Sequence, residues 1–151
     1  MNELEELYND VIMDHYTLSP NKKDLIDCTS EMKGTNPSCG DEITLKIKVN
    51  NDIIEDMAFL GTGCAISISS TSIMIDLIRG KNIKEAFEII KNFRNMINKE
   101  AENIDSLEEA VIFENISNMP ARIKCATLCY NTLEKILMEN KWENHKIKII
   151  E

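Results

Sequence analysis

From Ile43 to Val49 apolar and polar residues alternate one for one: Ile43, Leu45, Ile47 and Val49 are set against Thr44, Lys46 and Lys48. A period of two belongs to a strand with one buried face, because successive side chains leave a strand on opposite sides. Asn50-Asn51-Asp52 has turn chemistry, and Ile53 to Leu60 is a second strand-forming run. Together they predict an antiparallel hairpin. A hairpin brings its two ends together, so the segment before Ile43 must meet the segment after Leu60. Those segments are Asn36-Pro37-Ser38-Cys39-Gly40-Asp41 and Gly61-Thr62-Gly63-Cys64. Asn-Pro and Cys-Gly are turn dipeptides, so the first is expected to be a loop that aims a thiol and a carboxylate at one point. Taken alone, a bland turn with a stray cysteine fits the hexapeptide equally well.

Helical spacing accounts for most of the remaining chain. Leu4, Leu7, Tyr8, Val11, Ile12 and His15 form one stripe over residues 3–16, with His15 expected as a hydrogen-bonded packing residue. Leu18-Ser19-Pro20-Asn21 ends that helix. Residues 65–78 are rich in Ser and Thr, which suits a loop by propensity. They contain no Pro or Gly, however, and Ile66, Ile73, Met74, Leu77 and Ile78 recur at helical spacing, so a buried helix is expected. Arg79-Gly80-Lys81-Asn82 closes it. Ala86, Phe87, Ile90 and Phe93 mark a third helix. Residues 95–103 read as polar surface, and residues 104–114 as a shorter helical piece with Leu107, Val111 and Ile112 inward. Asn115 to Met119 reads as a loop. Pro120 suits the first position of a last helix, which runs to about Glu139 with Ala126, Cys129, Tyr130, Leu133 and Leu137 as its core stripe. The tail with Trp142, His145 and Ile147 to Ile150 is too short to assign. Residues 22–30 are assigned to a third strand. The expected fold is α+β, a small antiparallel three-stranded sheet with helices packed on one face, as a single domain over residues 1–151.

Charge and cysteine usage narrow the function. The net charge of −9 argues against a general binder of nucleic acid or anionic membrane, since phosphate contacts need a basic surface. It suits docking to a basic patch on another protein. No apolar run approaches the roughly 20 residues of a membrane span. The acidic start, Met1 to Glu6, is no signal peptide. The expected setting is the cytoplasm, where thiols stay reduced. Five cysteines also fit poorly with a closed disulfide framework, which leaves metal binding or thiol chemistry for some of them.

Cys129 lies on a core stripe and Cys28 in an apolar stretch, so both are assigned to packing. Cys39, Cys64 and Cys125 remain. Cys64 opens a helix and Cys125 lies in the first turns of another, where unpaired N–H groups stabilise anions. Arg122 and Lys124 flank Cys125 and would add to that effect, lowering a thiol pKa. Cys39, Asp41, Cys64 and Cys125 make a four-ligand set of the kind zinc takes tetrahedrally. Iron clusters also take cysteines and leave room for a carboxylate, so the ligand types alone keep both metals open.

Three motifs carry a resemblance. Asn36 to Asp41, Gly61-Thr-Gly-Cys-Ala-Ile-Ser67 and Pro120-Ala-Arg-Ile-Lys-Cys-Ala-Thr-Leu128 resemble the three cysteine motifs of the IscU/NifU-type iron–sulfur assembly proteins. Val11-Ile-Met-Asp-His-Tyr16 resembles that family's N-terminal helix motif, and the likeness runs in order over nearly the whole chain. Lys124 stands where scaffold-type members carry a histidine, and the long interval from Cys64 to Cys125 resembles the SufU branch.

The resemblance implies a zinc-bound sulfur acceptor serving a SufS-type, pyridoxal-phosphate-dependent cysteine desulfurase. Zinc would be held by Cys39, Asp41, Cys64 and Cys125, and Cys39 would accept the persulfide sulfur. A thiolate bound to zinc is a subdued nucleophile, so the resemblance also implies that docking frees Cys39, with a partner histidine taking its place on the metal. Two other functions are carried forward: a scaffold on which an iron–sulfur cluster is assembled and passed on, and a structural zinc domain without sulfur chemistry. The mixed Cys₃Asp set weighs against the last, since structural sites mostly use Cys and His.

Overall fold

The structure, a computed structural model, describes the backbone of residues 3–101 and 103–150 and the side chains of residues 10–101 and 103–139. Its elements run α1 (Glu3–Thr17), β1 (Ser30–Asn36), β2 (Asp41–Asn50), β3 (Ile53–Thr62), α2 (Ala65–Ile78), α3 (Ile83–Ile97), a 3₁₀ segment (Asp105–Asn118) and α4 (Pro120–Ile150). The strands form one antiparallel sheet in the order β1-β2-β3. The expected α+β fold is the one found.

The hairpin is built as its alternation requires. Ile43, Leu45 and Ile47 are fully buried, while Thr44, Lys46 and Lys48 are half-buried on the other face. Asn51 and Asp52 both take positive φ, 53° and 64°, which gives a two-residue turn whose twist matches the strands it joins. The third strand is displaced from its expected place: it is Ser30–Asn36, not residues 22–30. Its inward positions hold Ser30, Met32, Gly34 and Asn36, in which Met32 is the one large apolar side chain and no apolar alternation reveals the strand. Residues 22–29 instead fold over the sheet. Leu25 is tucked in, and the Thr29 hydroxyl both donates to the Ile47 carbonyl (3.2 Å) and accepts from the Val49 N–H (3.0 Å).

Gly34 sets how closely α4 lies on β1. A Cβ at this position would stand 2.1 Å from Thr132 Oγ1 and 3.3 Å from Leu128 Cδ1. The other face of α4 meets α2, where Ser67, Ser69, Ser70, Thr71 and Ser72 are all buried. Their short side chains permit a close approach of two helices, and most of the hydroxyls find backbone acceptors. Ser70 donates to the Ala126 carbonyl across the interface (2.7 Å) and Thr71 to the Ser67 carbonyl within the helix (2.8 Å). The helix expected over residues 65–78 therefore has those bounds, with its hydroxyls absorbed into the packing. His15 is the packing residue it was read to be, bonded through Nδ1 to Ser72 Oγ (2.9 Å) and through Nε2 to Glu109.

Two expectations fail beyond α2. The stretch read as polar surface from residue 95 includes Met96 and Ile97, both buried at the end of α3. The short helix of residues 104–114 and the loop after it are one 3₁₀ segment, broken at Glu108 (φ 49°), which runs to Asn118. Its buried residues are Leu107, Ala110, Phe113 and Ile116, while Val111 and Ile112 are only half-buried. A spacing of three is the period of a 3₁₀ helix, in which side chains three apart eclipse. Phe113 meets Phe93 edge-on at 6.4 Å, and Phe93 stacks on Tyr130 at 3.8 Å, so the segment is tied to α4 through an aromatic cluster. The side chains of Trp142, His145 and Ile147 to Ile150 lie outside the described residues, although the backbone of α4 continues to Ile150. Among the described residues no helix is long and apolar enough to cross a membrane.

The contact at Gly34 yields a test. Gly34→Ala is expected to destabilise the protein by about 1–3 kcal/mol through overpacking. Adding Thr132→Ala should return most of that loss in chemical denaturation, because it removes the atom the new methyl group strikes.

Candidate metal centre

The two ends of the hairpin converge as their chain positions demand. Pro37 to Gly40 form the turn between β1 and β2, and Asn36 pairs with Asp41 at the last rung of the ladder. The turn is closed by the Cys39 N–H on the Asn36 carbonyl (3.2 Å) and the Gly40 N–H on the Pro37 carbonyl (3.3 Å). Gly40 has φ +68°, a left-handed conformation that glycine takes without strain, and nothing crowds its Cα. Cys39 is thus presented half-exposed on a tight turn, while Asp41 begins β2 and is only 2% exposed.

At the other end, Cys64 is the N-cap of α2. Its N–H donates to Asp41 Oδ1 (2.9 Å), and its Sγ accepts the N–H of Ser67 (3.4 Å). Gly63 makes the approach possible, since a Cβ there would lie 2.8 Å from Asp41 Oδ1 and 3.3 Å from Ser67 Oγ. Cys125 arrives from α4, one turn past Pro120, and is fully buried.

Cys39 Sγ, a carboxylate oxygen of Asp41 and Cys125 Sγ all lie within 4.8 Å of one another. The Cys125 thiol donates to Cys39 Sγ at 3.2 Å. Three of the four expected ligand residues are therefore brought into one group. Cys64 stands beside the group and outside it, its sulfur occupied in capping α2, yet its thiol is near enough to act on Cys125. The structure also supplies a residue that sequence reasoning passed over. Asn36, read as a turn residue, is buried and donates from Nδ2 to Asp41 Oδ2 (3.2 Å) and to Cys125 Sγ (3.6 Å).

Burial works against the acidic Cys125 thiol expected from its place in α4. Burial pushes it well above the ordinary thiol range, and the neighbouring Cys39, Cys64 and Asp41 groups push it further in the same direction. Arg122 and Lys124 are both exposed, so solvent screens them from the buried sulfur. Cys129 is a packing residue on the buried stripe of α4, with its thiol pushed up to about 11 by burial. Cys28 is half-buried and takes no part in the group.

The donor set fits a zinc ion. Soft sulfur with one carboxylate oxygen is within zinc's ligand range, and bonds of about 2.3 Å give a tetrahedron with edges of about 3.7 Å. The 3.2 Å between Cys39 and Cys125 sulfurs is near that edge. Asp41 and Cys125 are buried, and the sulfurs and carboxylate of the group are acceptors as anions. Ser67 Oγ, fully buried at its border, has no hydrogen-bond partner among the described residues. A cation at the centre offsets the mutual repulsion of such anions.

Residues 7–126 match the NifU-like N-terminal domain family, and the chain belongs to that family. It is 42% identical over 133 residues to the zinc-dependent sulfurtransferase SufU of Bacillus subtilis, covering 87% of this chain and 90% of that one. It is 35% identical over 146 residues to the iron–sulfur cluster assembly scaffold protein IscU of Streptococcus pyogenes, covering 96% and 91%. Among solved structures, the putative iron–sulfur cluster assembly scaffold protein for the SUF system from Fervidobacterium islandicum superposes with a TM-score of 0.81 at 38% identity, covering 85% of this chain and 94% of that chain.

Two substitutions separate the site from its surroundings. Gly63→Ala is expected to keep the fold but displace the Asp41 carboxylate, lowering the metal retained after chelator treatment. Cys129→Ala should cost on the order of 1 kcal/mol in packing and leave metal content unchanged. Metal analysis beside thermal unfolding reads both.

Proposed function

We propose that this chain serves iron–sulfur cluster assembly as a zinc-bound sulfur acceptor, taking persulfide sulfur from a SufS-type, pyridoxal-phosphate-dependent cysteine desulfurase in the cytoplasm. The observation that carries the proposal is the convergence of Cys39, Asp41 and Cys125 within 4.8 Å, with Cys64 alongside. Family membership and the likeness to a zinc-dependent sulfurtransferase support it. Cys39, Asp41, Cys64 and Cys125 are the residues that would hold zinc, and when bound the ion keeps their thiols deprotonated near neutral pH.

The four residues do not share one task. Asp41 and Cys125 are buried, and Cys64 is fixed at a helix start. Cys39 and Cys64 are both half-exposed, but only Cys39 sits on a turn, closed by Gly40, with its sulfur free of a helix cap. It is the thiol a partner can reach. Its thiolate attacks the terminal sulfur of the desulfurase persulfide; a new S–S bond forms on Cys39 Sγ, the donor's S–S bond breaks, and the donor cysteine leaves as a thiolate. The hydrogen-bonded turn and the open space at Gly40 let Cys39 move without unfolding its strands.

A second function, assembly of the cluster on this chain, is favoured by the 35% identity to a protein named as a scaffold. Lys124 tilts the balance to transfer. It is exposed and outside the ligand group, so no nitrogen donor joins the set from that position. The protein as isolated is expected to be colourless with one zinc per chain. A brown protein with iron and acid-labile sulfide would sink the transfer role in favour of the scaffold. Added to a SufS-type desulfurase, the wild-type chain should raise sulfide output and carry persulfide on Cys39, and Cys39→Ala should abolish both; no rate increase with the wild-type chain counts against the whole proposal.

A further inference from the structure

Asp41 and Cys125 belong to different elements, one opening β2 and the other inside α4, yet one side chain joins them. Asn36 closes β1 opposite Asp41 in the ladder register, with its amide turned inward and 6% exposed. That amide donates to Asp41 Oδ2 at 3.2 Å and to Cys125 Sγ at 3.6 Å. An amide nitrogen has two hydrogens, so it serves two acceptors at once, and being neutral it does so without adding charge to the cluster. Cys64 has a separate support in the Ser67 N–H. Cys39 Sγ is held only by the Cys125 thiol among the described hydrogen bonds, on a turn with room to move.

We propose that Asn36 is the positioning residue that keeps Asp41 and Cys125 in place as metal ligands while Cys39 departs to take up sulfur. This rests on the zinc-bound acceptor described above and adds the means by which one ligand is released and the others retained. When Cys39 swings away, its bond with Cys125 is lost, but both bonds from Asn36 remain. The partners that orient ligands act on metal affinity without touching the metal, typically by 10–100-fold.

Two roles for Asn36 are open to experiment, because its backbone carbonyl also accepts the Cys39 N–H in the turn. Zinc affinity is measured by competition with a chromophoric chelator for the wild type, Asn36→Ala, Cys39→Ala and the double variant. Asn36→Ala is expected to weaken zinc about 10–100-fold, and by a similar factor again in the Cys39→Ala background. Loss of the Asn36 effect once Cys39 is absent would overturn the proposal and leave Asn36 as a support for the turn alone. Asn36→Leu removes both donors while keeping most of the volume, so it should reproduce the loss if the alanine variant folds poorly; unchanged affinity in either folded variant also overturns the proposal. A wild-type chain that binds no zinc removes the zinc-bound acceptor itself, a result distinct from a zinc-binding wild type with insensitive variants.

Discussion

Asp41 is a carboxylate removed almost wholly from water, and the site depends on how that burial is made tolerable. A buried carboxyl group needs hydrogen-bond partners or a cation. Asp41 has the Cys64 N–H on one oxygen and the Asn36 amide on the other. Those two bonds tie the start of α2 and the end of β1 to the first residue of β2. They link the segments on either side of the hairpin through polar atoms.

Around this junction the chain uses small residues to bring backbones close. Gly34 admits α4 to β1, Gly63 admits Asp41 to the start of α2, and the serines of α2 admit α4 from the other side. Tight packing fixes where the second turn of α4 lies, and with it the position of Cys125. The aromatic cluster of Phe93, Phe113 and Tyr130 anchors α4 from the side away from the sheet. Core and site thus share one helix, and the buried stripe of α4 carries both Cys129, which packs, and Cys125, which converges on Cys39 and Asp41.

What could be seen in the sequence follows from which features have a period. The hairpin and α2 have strong apolar patterns, and both stand where those patterns put them. β1 has none, because a glycine and an asparagine fill inward positions that strand-seeking rules reserve for apolar side chains. The 3₁₀ segment was hidden by arithmetic: Leu107, Ala110, Phe113 and Ile116 repeat every three residues, close enough to helical spacing to pass for a short helix. At the site, the thiols and the carboxylate were legible because their chemistry is distinctive. Asn36 was not, since Asn before Pro is already explained as a turn. The burial of Cys125 was not legible either: Arg122 and Lys124 are visible in the sequence, but the burial that opposes them is a property of the fold.

Asp41 lies in the same alternation as Ile43, Leu45 and Ile47, on the face of β2 turned toward the helices. The side chains of a strand have a strict period of two, so sliding β2 by a single residue would send all four to the opposite face. The irregularity in pairing falls between Lys48 and Val49, at the far end of the strand, and leaves this phase intact. A chain that pairs its hairpin wrongly would therefore expose its core and turn the Asp41 carboxylate away from Cys39 and Cys125 in the same error. For this protein, correct strand pairing and the gathering of Cys39, Asp41 and Cys125 are one folding decision.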